Sequence, residues 1–181
     1  MGICFTCLLI YIVGINSLSA QSFPESASQV LKQAGEQAAT ENKNVFIIFH
    51  ASWCGWCHRM DSIMNSADCK ELFFNNYVIK HLVVLESPAN KSLENPGAMD
   101  LLVKYHGDKE GIPFWLIFDK SGKLLADSQE RPPGAGLDKP GKNVGCPSTP
   151  QEIKFFIGVL KQTSSIKGGQ LAVIARQFSR K

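Results

Sequence analysis

Between Asn44 and Ser66 the sequence changes period in a single step. NVFIIF is a short apolar run of β-branched and aromatic residues, the composition of a buried strand, and HASWCGWCHRMDSIMNS after it resumes helical spacing. The junction holds Cys54-Gly55-Trp56-Cys57. A Cys-x-x-Cys pair alone can be half a zinc site, a haem-attachment site, a structural disulfide or a redox dithiol. Its setting decides, because a helix N-terminus has unpaired backbone N–H groups and a positive dipole end, and both stabilise a thiolate. Such placement lowers a cysteine pKa from about 8.5 toward roughly 3.5 to 7.5. Cys54 is therefore the expected nucleophile. Cys57, one turn on, is expected to be more buried and close enough to resolve a mixed disulfide.

Around this junction the apolar spacing predicts a helix over 26–41, a short helix near 68–75, a strand over 78–85, a polar loop over 86–95 and a helix over 97–105. Two short runs, 114–118 and 123–127, are separated by Asp119, Lys120, Ser121 and Gly122 and read as a hairpin. From Arg131 to Pro147 Gly and Pro supply 8 of 17 residues, which predicts a long loop without regular structure. Thr149, Pro150 and Glu152 have capping-box spacing and open a helix to about Gln162, with a last helix over 170–178. No internal repeat is present.

Ala51, Trp53, Cys54, Gly55 and Cys57 after a strand, with Gly111, Ile112 and Pro113 opening a hairpin that continues to Asp119, Gly122 and Lys123, resemble thioredoxin. The similarity covers about residues 45–127. It implies an α/β chain of the thioredoxin fold, with a central mixed β-sheet flanked by helices, to which this chain adds an N-terminal helix, the Gly/Pro-rich loop and an extra C-terminal helix. It also implies a Cys54–Cys57 redox disulfide, a cis Pro113 facing it, and an Ile112 backbone offered to an extended substrate. A Pro heading a strand agrees, since it cannot donate to the ladder and cis bonds cost least before Pro. The chain departs from thioredoxin in having Trp56 where the family has Pro. Ile48 stands where thioredoxin has a buried Asp, and Glu86 either replaces that proton acceptor or is a solvated loop carboxylate.

Other readings of these residues stand beside this one. Cys54 to His58 spells C-x-x-C-H, the attachment signature of a c-type haem. His58 otherwise is an exposed first-turn residue or an influence on the thiols, and His50 either tunes the site or ends the strand. His81 and His106 are isolated in sequence, so no metal site is expected. Trp53 and Trp56 are expected to form an apolar, substrate-binding rim with Ile112 and Pro113, while Trp115 is expected in the core. Cys69 and Cys146 either form a second disulfide or remain two unpaired thiols.

The first twenty residues contain no Asp, Glu, Lys or Arg, and small residues follow their apolar run at Ser17, Ser19 and Ala20. This predicts a signal peptide over 1–20 and a thioredoxin-like domain over 21–181; a retained N-terminal anchor is the alternative, and only that form touches a membrane. All 19 Lys and Arg and all 16 Asp and Glu lie after residue 20 as mixed-sign sequence, so nucleic acid is not indicated. The expected function is that of an exported, periplasmic or secreted, protein disulfide oxidoreductase without a cofactor. Its partners are protein thiols and disulfides and an upstream electron donor. The rivals are a thioredoxin-fold binding module with a structural disulfide and a haem carrier.

Overall fold

The computed structural model describes residues 23–180, so the segment 1–20 read as a signal peptide lies outside the described residues. The first helix, α1 (Ala27–Glu41), starts in a reciprocal box: Ser26 Oγ accepts from Gln29 N, and Gln29 Oε1 accepts from Ser26 N at 3.0 Å. These bonds satisfy donors that a helix start leaves free. Ala27, Val30, Ala34 and Ala38 recur at helical spacing and are the buried stripe.

The sheet is built on β1 (Asn44–His50), five of whose seven residues are buried. It pairs in parallel with β2 (Tyr77–Val83) and antiparallel with β3 (Phe114–Phe118), which pairs antiparallel with β4 (Leu124–Asp127), giving the order β2-β1-β3-β4. A strand with helices over both faces has no solvent side, which is why β1 and β3 read as continuous apolar runs. Successive side chains point to opposite faces. Phe46, Ile48 and Trp115 pack on α2 (Gly55–Met64) together with two later helices, α5 (Pro150–Thr163) and α6 (Gly168–Ser179). On the other face Ile47, Phe49 and Leu116 pack on α1 and on α4 (Ala98–Lys104). The short α3 (Lys70–Phe74) precedes β2. The capping box at α5 forms as its spacing predicts: Thr149 Oγ1 accepts from Glu152 N, and Glu152 Oε2 accepts from Thr149 N at 2.9 Å.

Three expectations are corrected. β2 ends at Val83, because Leu85 takes a left-handed conformation (φ 56°) that no strand accommodates. The polar loop after it contains a 3-10 turn, Pro88–Leu93, with Pro at its start where the missing N–H costs nothing. The Arg131–Pro147 segment is not wholly irregular: β6 (Lys142–Asn143) pairs antiparallel with β5 (Gln129–Glu130). Neither residue of β6 is Gly or Pro, so this short stretch can join a ladder. The segment crosses the molecule as a strap, pinned by a two-pronged ion pair in which Arg131 Nη1 and Nη2 donate to Asp127 Oδ1 and Oδ2 at 2.8 and 2.6 Å. Cys69 and Cys146 are both buried free thiols, so the second disulfide does not form. Burial pushes the Cys69 thiol up and the Cys146 thiol up to about 11, which keeps both protonated and unreactive near neutrality.

Candidate active site

The chain leaves β1 at His50, turns through Ala51 to Trp53, and enters α2 with Cys54 as N-cap. Extended backbone at Cys54 (φ −80°, ψ 97°) aims its sulfur back over the first turn, where Cys57 N donates to it at 3.1 Å. Cys54 and Cys57 form a disulfide with a Cα–Cα separation of 5.2 Å. Both are buried, Cys54 at 4% exposure and Cys57 at 1%, so Cys54 is the outer sulfur. Ile112 packs against the pair, and its carbonyl oxygen lies 3.7 Å from Cys54 Sγ. The Ile112–Pro113 peptide bond is cis, as the resemblance implies. The two segments, 58 residues apart between Cys54 and Ile112, meet because β1 and β3 are neighbours running in opposite directions.

Trp53 and Trp56 flank the disulfide with 59% and 54% of their surface exposed, a large apolar outlay next to a reactive group. Trp53 is nevertheless fixed, since its Nε1 donates to Leu85 O at 2.8 Å. The Arg59 guanidinium sits over the Trp56 ring at 5.9 Å. Trp115 is fully buried, as expected.

Glu86 lies beside the loop that precedes Cys54, but its carboxylate is already committed. Ser52 N donates to Oε1 at 2.5 Å and Ser52 Oγ donates to Oε2 at 2.8 Å. The backbone bond from Ser52 is the main reason its carboxyl is held below the usual range. An ionised carboxylate with both oxygens engaged and 6% of its surface exposed is a brace for the 51–53 turn, and neither a free proton acceptor nor a solvated loop carboxylate. A group whose folded pKa is lowered adds stability above its unfolded value, about 4.3, and that contribution is lost as pH falls through the folded value. Glu86→Gln is therefore expected to be less stable than the parent at pH 7, with the gap closing below pH about 4.3. Urea unfolding of both chains across this range checks it. A gap of equal size at pH 3 and pH 7 rules out the ionised brace.

His58 Nε2 is 2.9 Å from Ser52 O, which occupies the ring nitrogen an axial haem ligand needs, and both sulfurs that would anchor a haem are joined to each other. These residues do not fit a haem. His81 is not isolated: its Nε2 lies 2.8 Å from Asp61 Oδ1, and its ring meets the His50 ring at 5.0 Å. Burial, then the neighbouring His81, lower the His50 pKa and keep that ring neutral. The cluster could have been read from strand pairing, since Ile48 faces His81 and His50 is the diagonal neighbour on the same face.

A family model described as thioredoxin-like matches residues 26–120, more than half of the chain. The chain belongs to the thioredoxin-like family. The match spans β1, the Cys54–Cys57 turn and β3 of this thioredoxin-like chain, and stops before β4, the strap, α5 and α6. No curated protein matches the sequence. Similar solved structures include a disulphide isomerase from Xylella fastidiosa Temecula1 (20% identity, 60% of this chain and 80% of that one, TM-score 0.46) and a protein titled DsbH oxidoreductase (21%, 87% and 95%, TM-score 0.42). A third is the oxidised C-terminal domain of DsbD from Neisseria meningitidis (18%, 77% and 98%, TM-score 0.43).

The sequence reading missed one residue at this thioredoxin-like site. Asn143, on the strap, places its side-chain amide against the turn that carries Ile112 and Pro113. An Asn among Gly and Pro residues reads as turn chemistry, and nothing local marks it as reaching another loop.

Proposed function

We propose that this chain is a thiol-disulfide oxidoreductase that reduces or exchanges disulfides in exported proteins, with Cys54 as nucleophile and Cys57 as resolving thiol. The observation that carries the reading is the Cys54–Cys57 disulfide at the start of α2, with the Ile112 carbonyl beside its outer sulfur. In the reduced chain the Cys54 thiolate attacks one sulfur of a substrate disulfide, a Cys54–substrate bond forms, and the other substrate sulfur leaves as a thiolate. The Cys57 thiolate then attacks Cys54 Sγ, closes the Cys54–Cys57 bond and releases the second substrate sulfur. Two electrons pass to the substrate, and a dithiol donor protein returns the pair to its reduced form. The unpaired N–H groups of the first turn stabilise the attacking thiolate.

Substrate docking is assigned to Ile112, whose main chain pairs with an extended peptide beside Pro113, and to the exposed rings of Trp53 and Trp56. Main-chain pairing asks little of the substrate sequence, which suits an enzyme with many partners. Export through a signal peptide over 1–20 rests on the uncharged apolar character of those residues. The purified chain is expected to reduce insulin disulfides with dithiothreitol as donor, and equilibration with glutathione is expected to give one two-electron potential for the pair. A Cys54–Cys57 bond that resists reduction, together with no insulin activity, overturns the enzyme reading in favour of a binding module with a structural disulfide.

A further inference from the structure

We propose that Asn143 is a positioning residue for substrate, its side-chain amide fixing the Ile112 peptide in the orientation that pairs with a substrate strand; this rests on the dithiol acting on protein disulfides. Asn143 Nδ2 is 3.1 Å from Gly111 O, 3.1 Å from Pro113 O and 3.3 Å from Glu110 O. A primary amide has two N–H donors, so the three carbonyls share them. The carbonyls on both sides of Ile112 are thus turned toward the strap. The Ile112 N–H makes no hydrogen bond among the described residues, and its C=O faces only the Cys54 sulfur at 3.7 Å, which carries no hydrogen while it is in the disulfide, so both groups remain for a partner. A half-buried peptide group kept unpaired between two held neighbours is a prepared docking edge, because paired backbone is the rule elsewhere in a folded chain.

The strap is held so that this amide cannot drift. Asn143 Oδ1 accepts from Gly145 N at 3.0 Å, and Asn143 N donates to Glu110 Oε2 at 3.1 Å. Trp115 Nε1, from the buried centre of β3, donates to Gly145 O at 2.9 Å, and Val144 N donates to Ser128 O at 2.7 Å. Gly145 has φ 57°, and a Cβ there would stand 2.9 Å from Pro113 O, so only glycine lets the strap come this near the turn. Between strap and α2 lies a cavity of about 230 Å³ lined by Trp56, Ile112, Pro113, Val144, Cys146 and Glu152. The strap therefore forms one wall of the place assigned to substrate.

Asn143→Ala and Asn143→Asp separate positioning from support. The aspartate keeps an oxygen for Gly145 N and replaces the donors to the turn with a carboxylate oxygen that repels the three carbonyls, whereas the alanine removes the donors without adding charge. Each variant is assayed on a peptide disulfide and on bis(2-hydroxyethyl) disulfide, which has no backbone to pair. The KM for the peptide is expected to rise about tenfold, which is about 1.4 kcal/mol, with kcat nearly constant. The preference for peptide over small disulfide, as a ratio of kcat/KM, is expected to fall about tenfold as well. The potential of the Cys54–Cys57 pair should stay at the parent value. A folded variant with the parent KM for the peptide, or one that loses activity on both disulfides equally, overturns the assignment. A parent chain inactive on both disulfides overturns the oxidoreductase reading itself and the assignment with it.

Discussion

Cys54→Ser is expected to lower turnover on protein disulfides by about a thousandfold or more, the scale on which losing a nucleophile acts, whereas Cys57→Ser is expected to keep the first attack and accumulate a mixed disulfide. The asymmetry comes from position in one helical turn. Cys54 caps α2 with its sulfur outermost, and the Cys57 N–H already points at that sulfur from 3.1 Å. After reduction that N–H remains in place to stabilise a thiolate at Cys54. Cys57 is nearly sealed at 1% exposure, which excludes a bulky substrate from it while leaving it within reach of Cys54. Non-reducing electrophoresis of each variant mixed with an oxidised protein substrate, and iodoacetamide labelling rates against pH, check the assignment. Adducts trapped by Cys54→Ser and not by Cys57→Ser would exchange the two roles.

The second large effect lies outside the dithiol. Removing either partner of the Asp127–Arg131 pair is expected to cost about 3 to 5 kcal/mol, because the charge left behind is buried and has no water to replace its partner. Side-chain exposures of 1% for Asp127 and 6% for Arg131 place this pair in that class. The Asp127 carboxylate also accepts from Gln129 N, and Arg131 Nε donates to Lys139 O, so the start and the middle of the strap loosen together. For a chain of this size the loss corresponds to roughly 6 to 20 °C in melting temperature. The Lys32–Glu36 pair, exposed at 73% and 63%, provides the control, and its removal should cost less than about 1 kcal/mol. Urea unfolding of Asp127→Ala, Arg131→Ala and Lys32→Ala makes the comparison. Equal and small losses in all three would show that the strap is not anchored there.

Features governed by neighbours in sequence were legible. The Thr149–Glu152 box, the NVFIIF strand and the Cys54 helix start each depend on residues within one turn or one run, so local spacing carries them. Pro113 was found through family resemblance and its place at the head of β3. What escaped depends on register or on the path of a long loop. The His50–His81 contact exists only because β1 and β2 pair as they do, and Asn143 reaches Gly111 across 32 residues of chain. Glu86 was placed in the right neighbourhood, but neither of its two readings, proton acceptor or solvated loop carboxylate, is the work it does. A carboxylate near a thiol invites a proton-transfer role, and sequence cannot show that Ser52 takes both of its oxygens. The Gly/Pro count of the strap foretold its length and surface course, yet hid the two-residue ladder and the ion pair that give it a fixed path.

Gly145 sets a limit on how this chain can be altered. At Gly134, on the same strap and also at positive φ, an added Cβ meets open space, so backbone strain alone opposes a larger residue. At Gly145 strain and collision coincide, and the colliding atom is the backbone carbonyl of Pro113, which has no rotamer to change. A library that randomised the strap would thus return a broader alphabet at Gly134 than at Gly145, or at Gly141, where an added Cβ would stand 2.7 Å from the Glu130 backbone carbonyl. Variation could reshape the tip of the strap freely, whereas the span next to the cis peptide admits change only by moving the whole segment away from the dithiol.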